Sequence, residues 1–208
     1  MTRKRHSEKL FNMKKLILIL ILTLSFQSWT KADNIKDFQI DGISLGSSLL
    51  DFLKVEEIEN SKKLWYPSKK FYIITVNINN NQQYDIISIA LKNYDNNYII
   101  KSISGSIFYQ NNIELCAEKK NTIISEISQI VKNSAKINDV GVIILNADSS
   151  GKSTAETTNL EFDNGDLISV QCKDWGTVYG KKKNFWDNLQ VSIVSKEYYD
   201  FTLNEKYK

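Results

Sequence analysis

The sequence predicts an α+β domain in which two helices pack on an antiparallel sheet. Apolar residues recur with the helical period in two segments, and they alternate with polar residues in most of the segments between and after these two. The resulting order is helix, three strands, helix, three or four strands, which also fits two similar halves. Helices gathered on one face of an antiparallel sheet are the simplest way to bury both kinds of apolar surface.

The first half is predicted to begin at a glycine turn. Gly46 precedes Ser47 and Ser48, either of which can cap a helix whose apolar side chains lie within residues 49–58. From Phe71 the period changes to two, in the segments FYIITVNIN, YDIISIALK and YIIKSISGSIFY. Polar turns rich in Asn separate these segments, so we expect a three-stranded antiparallel meander.

The second half is predicted to begin with the longer helix, about residues 113–132, which Asn111 or Asn112 opens. Asn164 and Gly165 join two alternating segments further on, and this dipeptide is a strong signal for a hairpin. The strands expected after the helix are residues 140–145, 154–162, 167–174 and 189–196.

Residues 1–32 have the features of a leader followed by a cleavable secretory signal peptide. Met13 is the expected functional start, and the apolar run at residues 16–24 is much shorter than the roughly 20 residues of a bilayer-spanning helix. A transmembrane anchor is therefore the less favoured alternative. We expect Sec-type export, cleavage near Ala32, and one mature domain of residues 33–208 in the periplasm or outside the cell, without a stable membrane anchor.

The composition of the expected mature domain excludes several kinds of chemistry. Cleavage near Ala32 removes seven of the 27 Lys and Arg residues and one of the 24 Asp and Glu residues, so the net charge becomes −3. A negative domain does not favour nucleic-acid binding. His6 and both arginines also precede residue 33, so the domain lacks His-based catalysis, His-ligated metals and guanidinium clamps. The sequence shows no catalytic motif, no metal site and no cofactor site.

The two cysteines, Cys116 and Cys172, are expected to form one structural disulfide, since both would reach an oxidising compartment. Cys116 shares a helix face with apolar residues, and Cys172 alternates with Ile168 and Val170 on a predicted strand. Closing a loop of this length stabilises the fold by at most about 4 kcal/mol in the chain-entropy model. The alternative, a redox-active pair, lacks both a CxxC spacing and a basic neighbourhood.

One string ends like a phosphate-binding loop. VGVIILNADSSGKST contains Gly151, Lys152 and Ser153 in the required order, but Asn146 stands where the first glycine is needed. The residues from Thr154 onward also have strand character, whereas a phosphate loop needs a helix there. A polar turn between strands is the better interpretation.

The segment IDGISLGSSLLDFL (residues 40–53) resembles the opening of the small periplasmic domains related to BamE/SmpA and of β-lactamase-inhibitor-like proteins. In these domains a glycine-bounded turn starts a helix ahead of a three-stranded meander, and the order of elements extends the resemblance to Tyr109. The lipid-bearing cysteine of the BamE group is missing here. Taken whole, including CKDW at residues 172–175, the chain looks more like a set of uncharacterised small exported proteins of marine bacteria. The resemblance implies a compartment and a fold, and no activity.

Two aromatic and lysine-rich stretches, residues 62–70 and 175–186, lie in predicted connections, where binding residues often collect. Their candidate binding residues are Trp65, Tyr66, Trp175, Tyr179, Phe185 and Trp186. If the two stretches meet, they form an aromatic platform rimmed by lysines and suited to a sugar, an acidic polymer or a protein. The alternative is that the aromatic side chains cover core edges while the lysines are solvated.

These observations favour an exported, non-catalytic binding or interaction module whose partner is an envelope protein or glycan. A second hypothesis is a small hydrolase that uses carboxylates or a Ser-Lys pair, which requires two such groups to converge in the fold. A third is an envelope-structural or assembly accessory role of the BamE kind.

Overall fold

The computed structural model describes residues 34–76, 83–109, 112–131 and 133–205. All of them belong to one compact unit, Ala32–Lys208. The expected leader and signal peptide, with its start at Met13 and its cleavage near Ala32, lies outside the described residues. No helix in the described ranges is both long and apolar enough to cross a membrane.

The described chain is built around one large antiparallel sheet, preceded by a small hairpin of β1 (Gln39–Ile40) and β2 (Ile43–Ser44). The large sheet contains β3 (Leu64–Trp65), β4 (Phe71–Val76), β5 (Ile86–Lys92), β6 (Ile100–Phe108), β7 (Ala135–Ile144), β8 (Thr154–Phe162), β9 (Leu167–Asp174) and β10 (Asn188–Val194). Its spatial order is β3-β4-β5-β6-β10-β9-β8-β7, with every neighbouring pair antiparallel. The predicted α+β class is confirmed at this level.

The sheet consists of two four-stranded meanders joined side by side. β3 to β6 run inward from one edge, β7 to β10 run inward from the other, and β6 pairs with β10 in the middle. At this central seam Ser104 lies opposite Ser192, and their hydroxyl oxygens are 2.8 Å apart. The sequence predicts three strands in the first half, and the structure adds the two-residue edge strand β3 to them.

The described residues form four α-helices beside the sheet: α1 (Val55–Asn60), α2 (Ile113–Ile130), α3 (Thr177–Lys183) and α4 (Lys196–Asn204). The single helix expected over residues 49–58 is divided into a 3₁₀ turn, Leu49–Asp51, and α1, because Lys54 between them has an extended backbone. The start of the 3₁₀ turn is tied to the sheet, where Leu49 donates its N–H to the Tyr98 carbonyl at 3.0 Å. Neither α3 nor α4 is predicted from the sequence.

Helices cover both faces of the sheet. On the first face Ile58 of α1 and Cys116 of α2 join the larger apolar core, and α2 packs on β8, β9 and β10. On the second face Tyr198 and Phe201 of α4 pack on Phe71 in a separate cluster. The two helices expected from the sequence therefore share one face, and α4 adds a helix on the other.

The disulfide between Cys116 and Cys172 is present and confirms the predicted pairing. It links α2 to β9, and both cysteines are fully buried. Since α2 packs on β8, β9 and β10, this covalent bond fixes the helix to the second meander.

Candidate functional site

The aromatic and lysine-rich segment of residues 175–186, here called the arm, connects β9 to β10 at one end of the sheet. Its central part is α3, which ends at Asn184 in the left-handed conformation with φ of 56°. Phe185 then donates its N–H to the Gly180 carbonyl at 2.9 Å, so the chain turns back toward the sheet. A Cβ at Gly180 would lie 3.1 Å from the Phe185 carbonyl oxygen, which explains a glycine at this close approach.

Three of the predicted binding residues form one aromatic cluster within the arm. The ring centroid of Trp175 lies 4.7 Å from that of Phe185 and 5.9 Å from that of Tyr179. Phe185 nevertheless keeps 43% of its surface exposed, and Trp186 beside it keeps 45%. The cluster therefore gives the arm its own small core while leaving aromatic surface accessible to a partner.

Two hydrogen bonds of Asp187 fix the base of the arm on the β10 side. The carboxylate of Asp187 accepts the N–H of Trp175 at 2.8 Å, and the backbone carbonyl of Asp187 accepts the N–H of Tyr109 at 2.8 Å. Asp187 itself is buried. One residue thus joins both ends of the arm to the end of β6.

The β7–β8 turn holds the arm from the other side. Gly176 donates its N–H to Ser153 Oγ at 2.9 Å, and Ser153 Oγ donates to Asp148 Oδ2 at 2.7 Å. The Ser153 hydroxyl helps to hold the pKa of Asp148 below its usual value, because the bond favours the carboxylate. The sequence that ends like a phosphate-binding loop is therefore a polar turn that positions the arm.

The arm carries positive charge on its surface and negative charge at its base. Lys181, Lys182 and Lys183 are consecutive and exposed at the end of α3. At the base, burial together with the charge of Asp187 raises the pKa of Asp174 above its usual value. This pair of neighbouring carboxylates was not predicted from the sequence, since the two residues belong to different strand ends 13 positions apart.

Trp65 and Tyr66 lie at a different place in the fold. Trp65 is on the edge strand β3, where its ring packs on Tyr72 with centroids 4.7 Å apart. Tyr66 belongs to the cluster under α4, and its hydroxyl is 2.5 Å from that of Tyr198. Both residues thus contact core side chains, as the core-edge alternative expects.

The two aromatic stretches do not form one platform. β3 and β9 are separated by four strands, so the distance between them is about 24 Å in the hydrogen-bonding direction. The strand register also aligns Tyr72, the partner of Trp65, with the beginning of β9, whereas the arm follows its end. The candidate site is therefore the arm alone, with Trp175, Tyr179, Phe185 and Trp186.

No family model, no curated protein and no solved structure matches the chain. The resemblance to BamE-like, β-lactamase-inhibitor-like and small marine exported proteins stays a prediction.

A second concave feature, not predicted from the sequence, lies between α2 and the middle of the sheet. This cleft has a volume of about 220 Å³, with apolar side chains of β6 and β10 as its floor and Lys119 and Glu126 of α2 at its rim. Tyr84 closes one side, packed directly on Gly105. A glycine within an alternating strand is a sequence signal of such close packing.

The cysteines and carboxylates of the described ranges form no group of three or more that could hold a metal ion.

Proposed function

We propose that this protein is a non-catalytic binding module of an extracytoplasmic compartment and that the arm is its contact surface. The disulfide within a domain that has no membrane-spanning helix among its described residues is compatible with a secreted protein. The signal peptide predicted at residues 1–32 would deliver the chain to the periplasm or the cell exterior.

The observation that carries this proposal is exposed aromatic surface on a segment that partly buried hydrogen bonds hold in place. Binding energy at protein interfaces concentrates in a few side chains, among which tryptophan is prominent, and Trp186 is such a side chain. Because Asp187 and Ser153 already order the arm, binding would not have to order it first.

The chemistry of the arm indicates an anionic partner that also offers an apolar contact area. Three adjacent lysines attract negative charge over a distance of about 10 Å at moderate ionic strength, and so speed the encounter. Phe185 and Trp186 then contribute contact area that charge alone does not provide. We expect an acidic envelope protein, with an acidic glycan as the alternative.

The test is affinity capture from an envelope extract with the purified protein and two arm variants, Trp186→Ala and a triple Lys→Gln variant of residues 181–183. The matched controls are Trp65→Ala, which alters a tryptophan of similar exposure (40%) at the opposite corner of the sheet, and Lys62→Gln. Mass spectrometry of the captured material identifies a protein or a glycan.

We expect the wild-type protein and both controls to capture the same partner and both arm variants to lose it. Equal thermal melting of all five proteins shows that the fold is retained. Equal capture by arm variants and controls would contradict the proposal, and so would empty capture by the wild-type protein.

The hydrolase hypothesis keeps one specific observation in its favour. Partial burial, and then the nearby charge of Asp187, raises the pKa of Asp174 above its usual value, and carboxyl groups with a raised pKa often occur in catalytic sites. Its test is cleavage of envelope glycans by the wild-type protein and by Asp174→Asn. Cleavage that is lost in the variant, with the melting temperature unchanged, would favour a hydrolase over a binding module.

The envelope-assembly hypothesis predicts a different result in the capture experiment. A structural accessory protein would co-purify with outer-membrane components even when Trp186 is replaced by alanine.

A further inference from the structure

The outer edge strand β7 has an unusually apolar and accessible surface. It is the last strand of the sheet, so none of the strands in the described ranges pairs with its outer side. Its exposed large apolar side chains, with their exposed fractions, are Ile137 (49%), Val140 (42%), Val142 (68%), Ile143 (36%) and Ile144 (61%). An edge strand of this length and character is the kind that pairs with another strand.

The peptide groups of Val142 and Ile144 point away from the sheet. Leu145 donates its N–H to the Ser153 carbonyl of the β8 side at 2.9 Å. In an antiparallel pair the inward peptide groups belong to alternate residues, so those of Ile143 face β8 and those of Val142 and Ile144 face outward. The outer edge thus offers two residues with donor and acceptor groups ready for a ladder.

The features that normally protect an edge strand stop before this segment. A bulge between Asp139 and Gly141, where Gly141 has φ of 74°, interrupts the ladder of β7 with β8. Beyond the bulge, residues 141–145 include neither a charged residue nor a proline.

The opposite edge of the sheet is protected. β3 contains only two residues, and Lys62, Lys63 and Pro67 flank it. Short length, lysines and proline are the usual devices against edge pairing. Among the strands that the structure describes, β7 is therefore the edge that offers a free apolar ladder.

We propose that residues 141–145 pair antiparallel with the same residues of a second copy of this chain and join two eight-stranded sheets into one. Centred on Ile143, this pairing places Val142 of each copy opposite Ile144 of the other. These two residues carry the outward peptide groups, so four main-chain hydrogen bonds form across the twofold axis. Every side chain that meets its counterpart is apolar, and like charges are absent from the segment.

A second copy fits this edge better than an open-ended assembly does. The contact uses the same segment on both molecules, so it closes as a twofold dimer. Because the β3 edge is protected, the described strands of the joined sheet leave no further apolar edge on which a third copy could pair.

The test is sedimentation equilibrium of the purified protein, with the double variant Val142→Lys/Ile144→Lys and the control Leu203→Lys. Both target side chains are more than half exposed, and Leu203 on α4 is 64% exposed, so all three replacements place a charge where the fold tolerates one. In the dimer each new lysine would face another across the axis. We expect a wild-type dimer, an unchanged dimer for Leu203→Lys, and a dimer dissociation constant raised at least about tenfold for the double variant.

Hydrogen exchange provides the second measurement. In the dimer the amides of Val142 and Ile144 are protected, and dilution to monomer or the double lysine substitution exposes them without changing protection in β8 and β9. A wild-type protein that is monomeric at millimolar concentration would overturn the proposal. So would a double variant that stays dimeric, or an edge that becomes protected only when a strand of a different protein is added.

Discussion

Lys120 shows how far a single residue can depart from what its sequence position indicates. It lies among Glu and Lys residues in the middle of α2, where a solvated side chain is expected, yet only 2% of its surface is exposed. Its ammonium group pairs with Glu156 of β8 at 2.7 Å, and Glu156 is half-exposed. Burial follows from helix packing, because Cys116, one turn earlier on the same face, is bonded to β9.

Removing the carboxylate should therefore destabilise the fold more than removing the lysine. Glu156→Gln leaves a buried ammonium without its counter-charge, and we expect a loss of about 1–3 kcal/mol, since partial solvation of the pair screens it. Lys120→Met removes the buried charge together with its desolvation penalty. It should therefore lower the free energy of unfolding by less than Glu156→Gln does. Urea unfolding of both variants measures the difference, and a larger loss for Lys120→Met would contradict this account.

Gly105 lies too close to the Tyr84 ring to accept a side chain without movement of the ring. A Cβ there would lie 2.5 Å from Cδ1 of the Tyr84 ring. We expect Gly105→Ala to destabilise the protein by about 1–3 kcal/mol, because the ring must leave its position. The same substitution should be much less destabilising in a Tyr84→Ala background. Thermal unfolding of the wild-type protein, both single variants and the double variant gives the coupling energy between residues 84 and 105. An equal loss in both backgrounds would show that the ring is not the cause.

Single residues were predictable where their effect is local or covalent. Asn112 caps α2, Ser48 caps the 3₁₀ turn, and Gly165 takes the positive φ that its hairpin requires, all as the sequence indicates. Of the candidate binding residues, Trp65 and Tyr66 turned out to contact core side chains. Aromatic composition is the same in both roles, and only the packing distinguishes a core edge from an exposed arm.

At the scale of elements, α4 owes its position to one carboxylate as well as to its aromatic face. Glu197 in its first turn pairs with Lys92 at 2.7 Å and Lys101 at 2.9 Å, on β5 and β6. Hydrogen bonds from Lys92 and then Lys101 hold the pKa of Glu197 below its ordinary value of 4.5. The two ion pairs thus connect the helix to the first meander.

This pKa shift predicts the direction of a pH dependence. A carboxyl group whose pKa is lower in the folded chain than in the unfolded chain stabilises the fold. The stabilisation is complete at a pH above the pKa of the unfolded chain, and it disappears as the pH falls through the pKa of the folded chain. Glu197→Gln should therefore lower the free energy of unfolding by about 0.5–1 kcal/mol at neutral pH. The effect is modest because solvent screens the half-exposed carboxylate. The free energies of unfolding of the two proteins should become equal as the pH falls below 4.5. Denaturant unfolding across this range measures it, and a constant difference would contradict the assignment.

Elements with a strong local pattern were predictable, and elements defined by distant contacts were not. α2 and the Asn-Gly hairpin carry their periodicity and caps within the segment itself. β3 has two residues and exists only because β4 lies beside it, and α4 has its apolar side chains next to each other in the sequence KEYYDFTLN. The arm was predicted as a connection, and the helix inside it contains a glycine and three lysines that give no apolar face.

At the scale of the whole molecule, removal of the disulfide should destabilise the protein more than the single substitutions above. It closes a loop over a sequence separation of 56 residues, for which the chain-entropy model gives about 4 kcal/mol as an upper value. We expect Cys116→Ala/Cys172→Ala to lower the free energy of unfolding by about 2–4 kcal/mol, measured with urea under non-reducing conditions. Reduced wild-type protein should show a loss of similar size, and an unchanged unfolding midpoint in both cases would contradict it.

The class of the fold was predictable from patterns, whereas the order of the sheet was not. Each meander joins strands that follow one another, so local alternation and turns are enough to predict it. The pairing of β6 with β10 joins Ser104 to Ser192, 88 positions away, and nothing in either strand specifies the other. The distance between the arm and Trp65 depends on this pairing. The sequence alone therefore could not predict whether the two aromatic stretches meet.

The two meanders are held together along the seam by the hydrogen-bonded ladder between β6 and β10, as two separate polypeptides could be. The chain passes from the first meander to the second through α2, so a protease that cut between α2 and β7 would produce two fragments, each with a complete meander. The fragments would remain associated by the ladder of the seam and covalently joined by Cys116 and Cys172. On a denaturing gel such a nicked protein would migrate as a single species without a reductant and as two fragments with one.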